Sequence, residues 1–302
     1  MLEQADALGA PLVSSLSAVE ARALREVQVE AQGGERVALG RVEDLRIAGP
    51  GGEIPIRVYA SEEGVGRVGL VYLHGGGFVL GNLETHDAVC RALAKESGAV
   101  VIAVDYRLAP EHRFPAGLED AYAATLWVVG NAKRLGIDAR RVVVSGDSAG
   151  GTLAAVIAMR CRDRGGPVLA GQLLVYPVTD VSSFETGSYR ECEQGYALTR
   201  ATMEWFARQY VGSSGKGRDP EASPLLAEDL RGLPPTLVMT AEFDPLRDEG
   251  EAYAERLKEA GVKVRLSRYA GMIHGFFCMR RDLSVSHEAI REAAEFVGSA
   301  GA

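Results

Sequence analysis

The chain has 302 residues, 47% hydrophobic and 25% charged, proportions that suit a globular protein with a sizeable core. Its 33 basic and 41 acidic residues give a net charge of −8, which disfavours wholesale binding to nucleic acid or to anionic membranes. No apolar run approaches the ~18 residues that span a bilayer, and Glu3 and Asp6 stand where a secretory leader would carry positive charge.

Residues 1–40 carry one helical pattern, around Ala18–Glu30, with no strand before it. Strands are predicted at Arg41–Ala48 and Glu53–Ala60, joined by Gly-Pro-Gly-Gly as an antiparallel hairpin at a sheet edge. A GxGxxG string at Gly64–Gly69 precedes a strand instead of opening a helix, so it reads as a hairpin turn and not as a nucleotide loop. Strands at Val68–Leu73 and Ala99–Val104 bracket a helix over Glu84–Ser97. A helix over Leu118–Arg134 leads to strand Val142–Ser145, helix Ala149–Arg164 and strand Gln172–Tyr176. The runs at Ala99–Val104 and Val142–Val144 are apolar at successive positions, as in strands covered on both faces. Residues 180–232 are too long for an ordinary connection and hold their own helix at Ala201–Tyr210. Six of the chain's twenty aromatics fall between Phe184 and Tyr210, which fits a satellite core, an aromatic-lined lid, or both. Strand Thr236–Thr240, helix Leu246–Glu259, strand Lys263–Tyr269 and helix Glu288–Val297 complete the alternation expected of a mostly parallel sheet flanked by helices.

The densest chemical signal is Val142-Val-Val-Ser-Gly-Asp-Ser-Ala-Gly-Gly151, which puts Ser148 at a strand–turn–helix junction with small residues two before and two after it. The bland alternative is a helix-capping serine. Upstream, His74-Gly-Gly-Gly77 follows a strand, where successive glycines let backbone N–H groups converge on a cavity. Of five histidines, His74 belongs to that loop, His86 and His287 sit in predicted helices, and His112 lies in a turn-rich segment. His274 remains, in a glycine-flanked loop after the last strand, as the favoured base. Acid candidates close the strand before it: Glu242, Asp244 and, one turn into the helix, Asp248. Asp244 before Pro245 also fits a capping residue, and one carboxylate has oxygens enough for both roles. Asp105 and Asp147 read as structural carboxylates holding the neighbouring loop and the turn.

With Asp105-Tyr-Arg-Leu-Ala-Pro-Glu-His-Arg-Phe-Pro-Ala116 and Asp244-Pro-Leu-Arg-Asp248, these motifs make nearly the whole chain resemble the hormone-sensitive-lipase-like carboxylesterases, the bacterial type IV esterases. The resemblance implies an α/β-hydrolase fold with an eight-stranded, mostly parallel sheet and a helical cap. It implies a triad of Ser148, Asp244 and His274, and an oxyanion hole from Gly76, Gly77 and Ala149, with Gly75 the less favoured glycine. It divides the chain into a core of 41–179 and 233–302, an N-terminal cap segment of 1–40 and a cap insertion of 180–232. Arg113 departs from the proline that many members carry there, a change expected to alter a loop and not the chemistry.

The expected reaction is hydrolysis of carboxylic esters with short to medium acyl chains, without metal, nucleotide or organic cofactor. An amidase or lactonase would use the same groups, and a non-catalytic receptor on this fold would lack the histidine. Cys90, Cys161, Cys192 and Cys278 form no metal-finger spacing and no disulfide framework, so four reduced thiols and a cytoplasmic location are expected. The family often dimerises through the sheet edge, and nothing in this sequence decides for or against a homodimer.

Overall fold

In a computed structural model that describes residues 12–62 and 64–301, the runs flanking Gly-Pro-Gly-Gly pair antiparallel from Arg41↔Ala60 to Gly49↔Gly52, as β1 (Arg41–Gly49) and β2 (Gly52–Ala60). β2 lies antiparallel to β4 (Val100–Val104), which is buried throughout. Beyond β4 come β3 (Arg67–Leu73), β5 (Ile137–Asp147), β6 (Gly171–Val175), β7 (Thr236–Phe243) and β8 (Val264–Ile273), each parallel to its neighbour. The eight strands make one sheet in the order β1-β2-β4-β3-β5-β6-β7-β8. Because β4 occupies the position beside β2, the Gly64–Gly69 string is not a hairpin turn as expected. It carries the chain past one strand position into β3, where the Arg67 N–H bonds the Gly136 carbonyl.

Nine helices lie among the described residues: α1 (Ala18–Gln32), α2 (Asp87–Ser97), α3 (Ala116–Gly130), α4 (Ala132–Leu135), α5 (Ala149–Asp163), α6 (Gly187–Glu191), α7 (Arg200–Tyr210), α8 (Arg247–Glu259) and α9 (Ser284–Gly298). The single helix expected over 118–134 breaks at Asn131, whose side-chain amide bonds back to the Trp127 carbonyl at 2.9 Å. None of the nine is long and apolar enough to cross a membrane.

Alternation along the central strands sorts the core into two layers. Val71, Leu73, Ile102, Val104 and Val144 face the layer of α3, α5 and α8, which includes Leu118, Leu153 and Leu257. Leu70, Tyr72, Val101, Val143 and Leu173 face α2 and α9, through Leu93, Ile290 and Ala293. The chain runs from β3 outward to β4 and then returns to β5 on β3's other side. This reversal opens a crevice beyond the carboxyl ends of β3 and β5, the place where sheets of this kind bind ligands.

Described residues of the two stretches outside the alternation contact loops at that end of the sheet. On α1, Arg22 bonds the carbonyls of Val79 and Ala109 and forks onto Glu111. Residues 1–11 of the expected N-terminal cap segment lie outside the described residues. Within 180–232, Tyr210 stacks on Phe78 with ring centres 3.7 Å apart, and Tyr196 stacks on Phe243 at 5.3 Å. Arg160 of α5, almost fully buried, ties this stretch to the sheet layer by bonding both Glu119 and Glu221. Arg113 packs its guanidinium beside Gly212, two residues past the end of α7.

The tightest approach is between α5 and β3: a Cβ on Gly150 would lie 1.9 Å from the Leu73 carbonyl oxygen, whereas one on Gly130, at the exposed end of α3, would meet nothing within 4 Å. Gly150→Ala should therefore destabilise the fold by at least ~1–3 kcal/mol. Gly130→Ala should be neutral or stabilising by up to ~1 kcal/mol. Urea midpoints of the two variants check the contrast.

Candidate active site

β5 ends at Asp147 and α5 begins at Ala149, so Ser148 alone makes the turn. It does so with φ 55° and ψ −121°, in the left-handed half of backbone space that a non-glycine residue enters at a cost of about 1–3 kcal/mol. Its N–H bonds the Val175 carbonyl at 2.8 Å, which fixes the turn against β6. The small neighbours have a steric cause. A Cβ on Gly146 would lie 2.4 Å from the Gly150 carbonyl carbon, and one on Gly151 would lie 2.9 Å from Pro177.

The pairing of β7 with β8 ends at Phe243↔Ile273, so the next residues, Asp244 and His274, leave the sheet side by side. His274 Nδ1 lies 2.7 Å from Asp244 Oδ2, and its Nε2 lies 3.0 Å from Ser148 Oγ. Asp244 is fully buried, and its other oxygen accepts the Leu246 N–H at 2.9 Å, so one carboxylate serves both the imidazole and the turn before α8. The other two acid candidates are engaged elsewhere. Glu242 accepts the Gly271 N–H at 2.7 Å, bracing the loop that carries His274. Asp248 accepts the Ser188 N–H at 2.7 Å and bonds Arg247, anchoring α6.

In the glycine loop, Gly76 (φ 121°) and Gly77 (φ 61°) hold backbone conformations open to few other residues. Among the described residues no acceptor meets the amides of Gly76, Gly77 or Ala149. Gly75 differs: its N–H is already engaged by Asp147 Oδ1 at 3.0 Å. Phe206 of α7 lies against this loop, so that a Cβ on Gly77 would fall 2.2 Å from its ring.

His74 is buried and stacks on Tyr106 at 4.3 Å, with Nδ1 2.9 Å from the Gly75 carbonyl. Burial and the neighbouring His86 push its pKa down to about 3, so it is neutral. His112 is exposed, and His287 bonds the Arg280 carbonyl. His86, expected simply inside a helix, is the buried residue just before α2, with Nε2 3.3 Å from Asp147 Oδ1. Burial alone would lower its pKa, yet the Asp147 carboxylate raises it to about 10. Burial opposes ionisation of Asp147 in turn, and the charge and hydrogen bond of His86, with that of Tyr72, hold it at about 2. Asp147 thus holds the turn as expected. Asp105 does not hold its loop: its carboxyl makes no hydrogen bond among the described residues, and burial raises it to about 6. Arg107 does that work, forking onto Asp120 at 2.7 and 2.8 Å.

Three side chains able to ligate a metal, His86, Asp147 and Cys278, lie with donor atoms within 4.8 Å of one another. The His86 and Asp147 atoms among them are occupied by each other, by Tyr72 and by the Gly75 amide, an arrangement that suits an internal ion pair better than a cation. Two surface clefts, of about 470 Å³ beside Thr199 and Arg200 and about 620 Å³ beside Lys263 and Phe296, include none of these groups.

Comparison with known proteins gives the chain's family. A family model described as alpha/beta hydrolase fold matches residues 70–278. The carboxylic ester hydrolase LipN of Mycobacterium tuberculosis is 46% identical over 264 residues, 85% of this chain and 70% of the relative. The ethyl acetate hydrolase of Pseudomonas putida is 42% identical over 246 residues, 80% of this chain and 76% of the relative. Among solved structures, the hyperthermophilic esterase of the archaeon Pyrobaculum calidifontis superposes with a TM-score of 0.94 at 46% identity, covering 99% of this chain and 96% of that one.

Because the folded pKa of His86 lies above the free imidazole value of 6.5, its pairing stabilises the fold fully below that pH and progressively less as pH rises toward about 10. The stability advantage of the wild type over His86→Gln should shrink across that interval. Urea midpoints measured between pH 6 and 10 check it.

Proposed function

Since the chain belongs to the alpha/beta hydrolase fold family, in its hormone-sensitive-lipase-like branch, and is a carboxylic ester hydrolase, we propose that Ser148, His274 and Asp244 form its catalytic triad. The observation that carries this reading is the unbroken hydrogen-bonded line from Ser148 Oγ through both ring nitrogens of His274 to a buried carboxylate. Ser148 Oγ attacks the ester carbonyl carbon as His274 Nε2 takes its proton. Asp244 holds the ring in the tautomer that leaves Nε2 free to accept, and then stabilises the imidazolium. The amides of Gly76, Gly77 and Ala149 bond the oxygen that becomes negative. The intermediate collapses, His274 returns the proton to the leaving alcohol, and the acyl group stays on Ser148. Water, deprotonated by the same imidazole, then releases the carboxylic acid. Loss of one such oxyanion donor costs ~10²–10³ in turnover in comparable sites, so the glycine loop ranks with the triad in importance.

The substrates are esters of short to medium acyl chain. Two features support this: the Phe206 ring against Gly77, which narrows the space over the loop, and a relative named for ethyl acetate. The stretches 12–40 and 180–232 act as a cap over a core of 41–179 and 233–302, supported by the contacts of Arg22, Tyr210 and Tyr196. A cytoplasmic location, in keeping with four free buried thiols, and a homodimer through an edge of the sheet, where β1 and β8 are the outer strands, complete the reading.

Ser148→Ala and His274→Ala should each lower kcat for p-nitrophenyl butyrate by ~10⁴-fold or more, with the circular dichroism spectrum unchanged. Asp244→Asn should cost ~10⁴-fold, and Asp248→Asn far less. The reverse ranking would move the acid to Asp248.

A further inference from the structure

The proposed hydrolysis makes no use of His86, yet the side chain sits at the centre of a buried network behind the glycine loop. It is 2% exposed, and Asp147, its partner, 4%. Asp147 Oδ1 accepts both the Gly75 N–H, at 3.0 Å, and the Tyr72 hydroxyl, at 2.8 Å. His86 Nε2 lies 3.3 Å from that oxygen and 3.4 Å from Oδ2. On its other side, His86 Nδ1 meets Thr85 Oγ1 at 2.9 Å. Thr85 is itself held, its N–H bonding Asn82 Oδ1 and its Oγ1 accepting the Asn82 N–H, both at 2.9 Å. Asn82 Nδ2 reaches Glu26 of α1. The ring of His74, at 5.6 Å, and the Cys278 thiol complete the surroundings.

A buried carboxylate needs a facing charge, and the His86 imidazole, within bonding distance of this one and, despite its burial, raised by it to about 10, supplies it. The same carboxylate grips the first amide of the glycine loop with no slack, since a Cβ on Gly75 would fall 2.3 Å from Oδ2. Asp147 also immediately precedes Ser148 in the chain, so one side chain ties the nucleophile's turn to the loop of the oxyanion donors. We propose that His86 is a positioning residue for the oxyanion hole, acting through Asp147 on Gly75 to aim the amides of Gly76 and Gly77. This rests on the reading of those amides as oxyanion donors. Their bonds strengthen as charge develops on the substrate oxygen, so a shift in their aim weakens the transition state more than the bound ester. Turnover falls while KM holds.

The test compares wild type, His86→Gln, Asp147→Asn and the double variant on p-nitrophenyl butyrate. Rates are expressed per active site counted with a fluorophosphonate, so that misfolded protein drops out. His86→Gln should lower kcat ~10- to 100-fold, the scale of a misplaced reacting group, with KM within about twofold. An aliphatic trifluoromethyl ketone, which forms a tetrahedral oxyanion on the serine, should bind more weakly by a similar factor. The double variant should be no slower than Asp147→Asn, because His86 acts only through that carboxylate. Additive losses, a change confined to KM, or wild-type kcat in His86→Gln would overturn the proposal. If His86→Gln yields no titratable site, Thr85→Val decides: a several-fold lower kcat at unchanged KM supports it, and an unchanged kcat overturns it. Turnover by Ser148→Ala would instead dismiss the triad reading, whatever His86→Gln does.

Discussion

No side chain fits between the first turn of α5 and the end of β3. The Leu73 and His74 carbonyls lie so close to Gly150 that a single methyl group would overlap them. That approach requires glycine at 146 and 150 and leaves Ser148 alone to reverse the chain in a strained conformation. It also brings the residue before the serine against the start of the glycine loop, where Asp147 and Gly75 bond. The strain at Ser148 is held by packing on every side: α5 is buried from Ala149 through Cys161, and the Ser148 amide is anchored to β6.

The second determinant is register. The β7–β8 ladder has an irregularity between Ala241 and Phe243, after which Phe243 faces Ile273. A slip of one residue would separate Asp244 from His274 and turn one of the side chains to the other face. The proposed triad is therefore assembled from the ends of β5, β7 and β8, with β6 between the first two and each member one residue past the last paired position. Backbone hydrogen bonds set its geometry more firmly than contacts between loops would.

Much of this arrangement is legible along the chain because its signals are local. Glycines around Ser148 and after His74 mark tight backbone, Pro245 marks a helix start after Asp244, and apolar runs mark buried strands. What escapes the sequence depends on contacts between distant segments. The engagement of the Gly75 amide, 72 residues from Asp147, has no local signature, and neither does the pairing of His86 with Asp147, 61 residues away. Asp248 and Glu242 look like equivalent acids in the sequence, and only the partners they meet, Ser188 and Gly271, distinguish them. Gly64–Gly69 looks like a hairpin because a short glycine-rich link usually joins neighbouring strands; here β4 intervenes, a fact of sheet order and not of turn chemistry.

The attachment of α6 has its own implication. Ser188 donates its hydroxyl to the Pro245 carbonyl and its amide to Asp248, so the inserted segment hangs from the very bend that bears Asp244. Displacing that segment pulls on the bend whose carboxylate bonds His274 Nδ1. Movement of the insertion and the Asp244–His274 bond are thus mechanically coupled through Ser188, so a change that frees one strains the other.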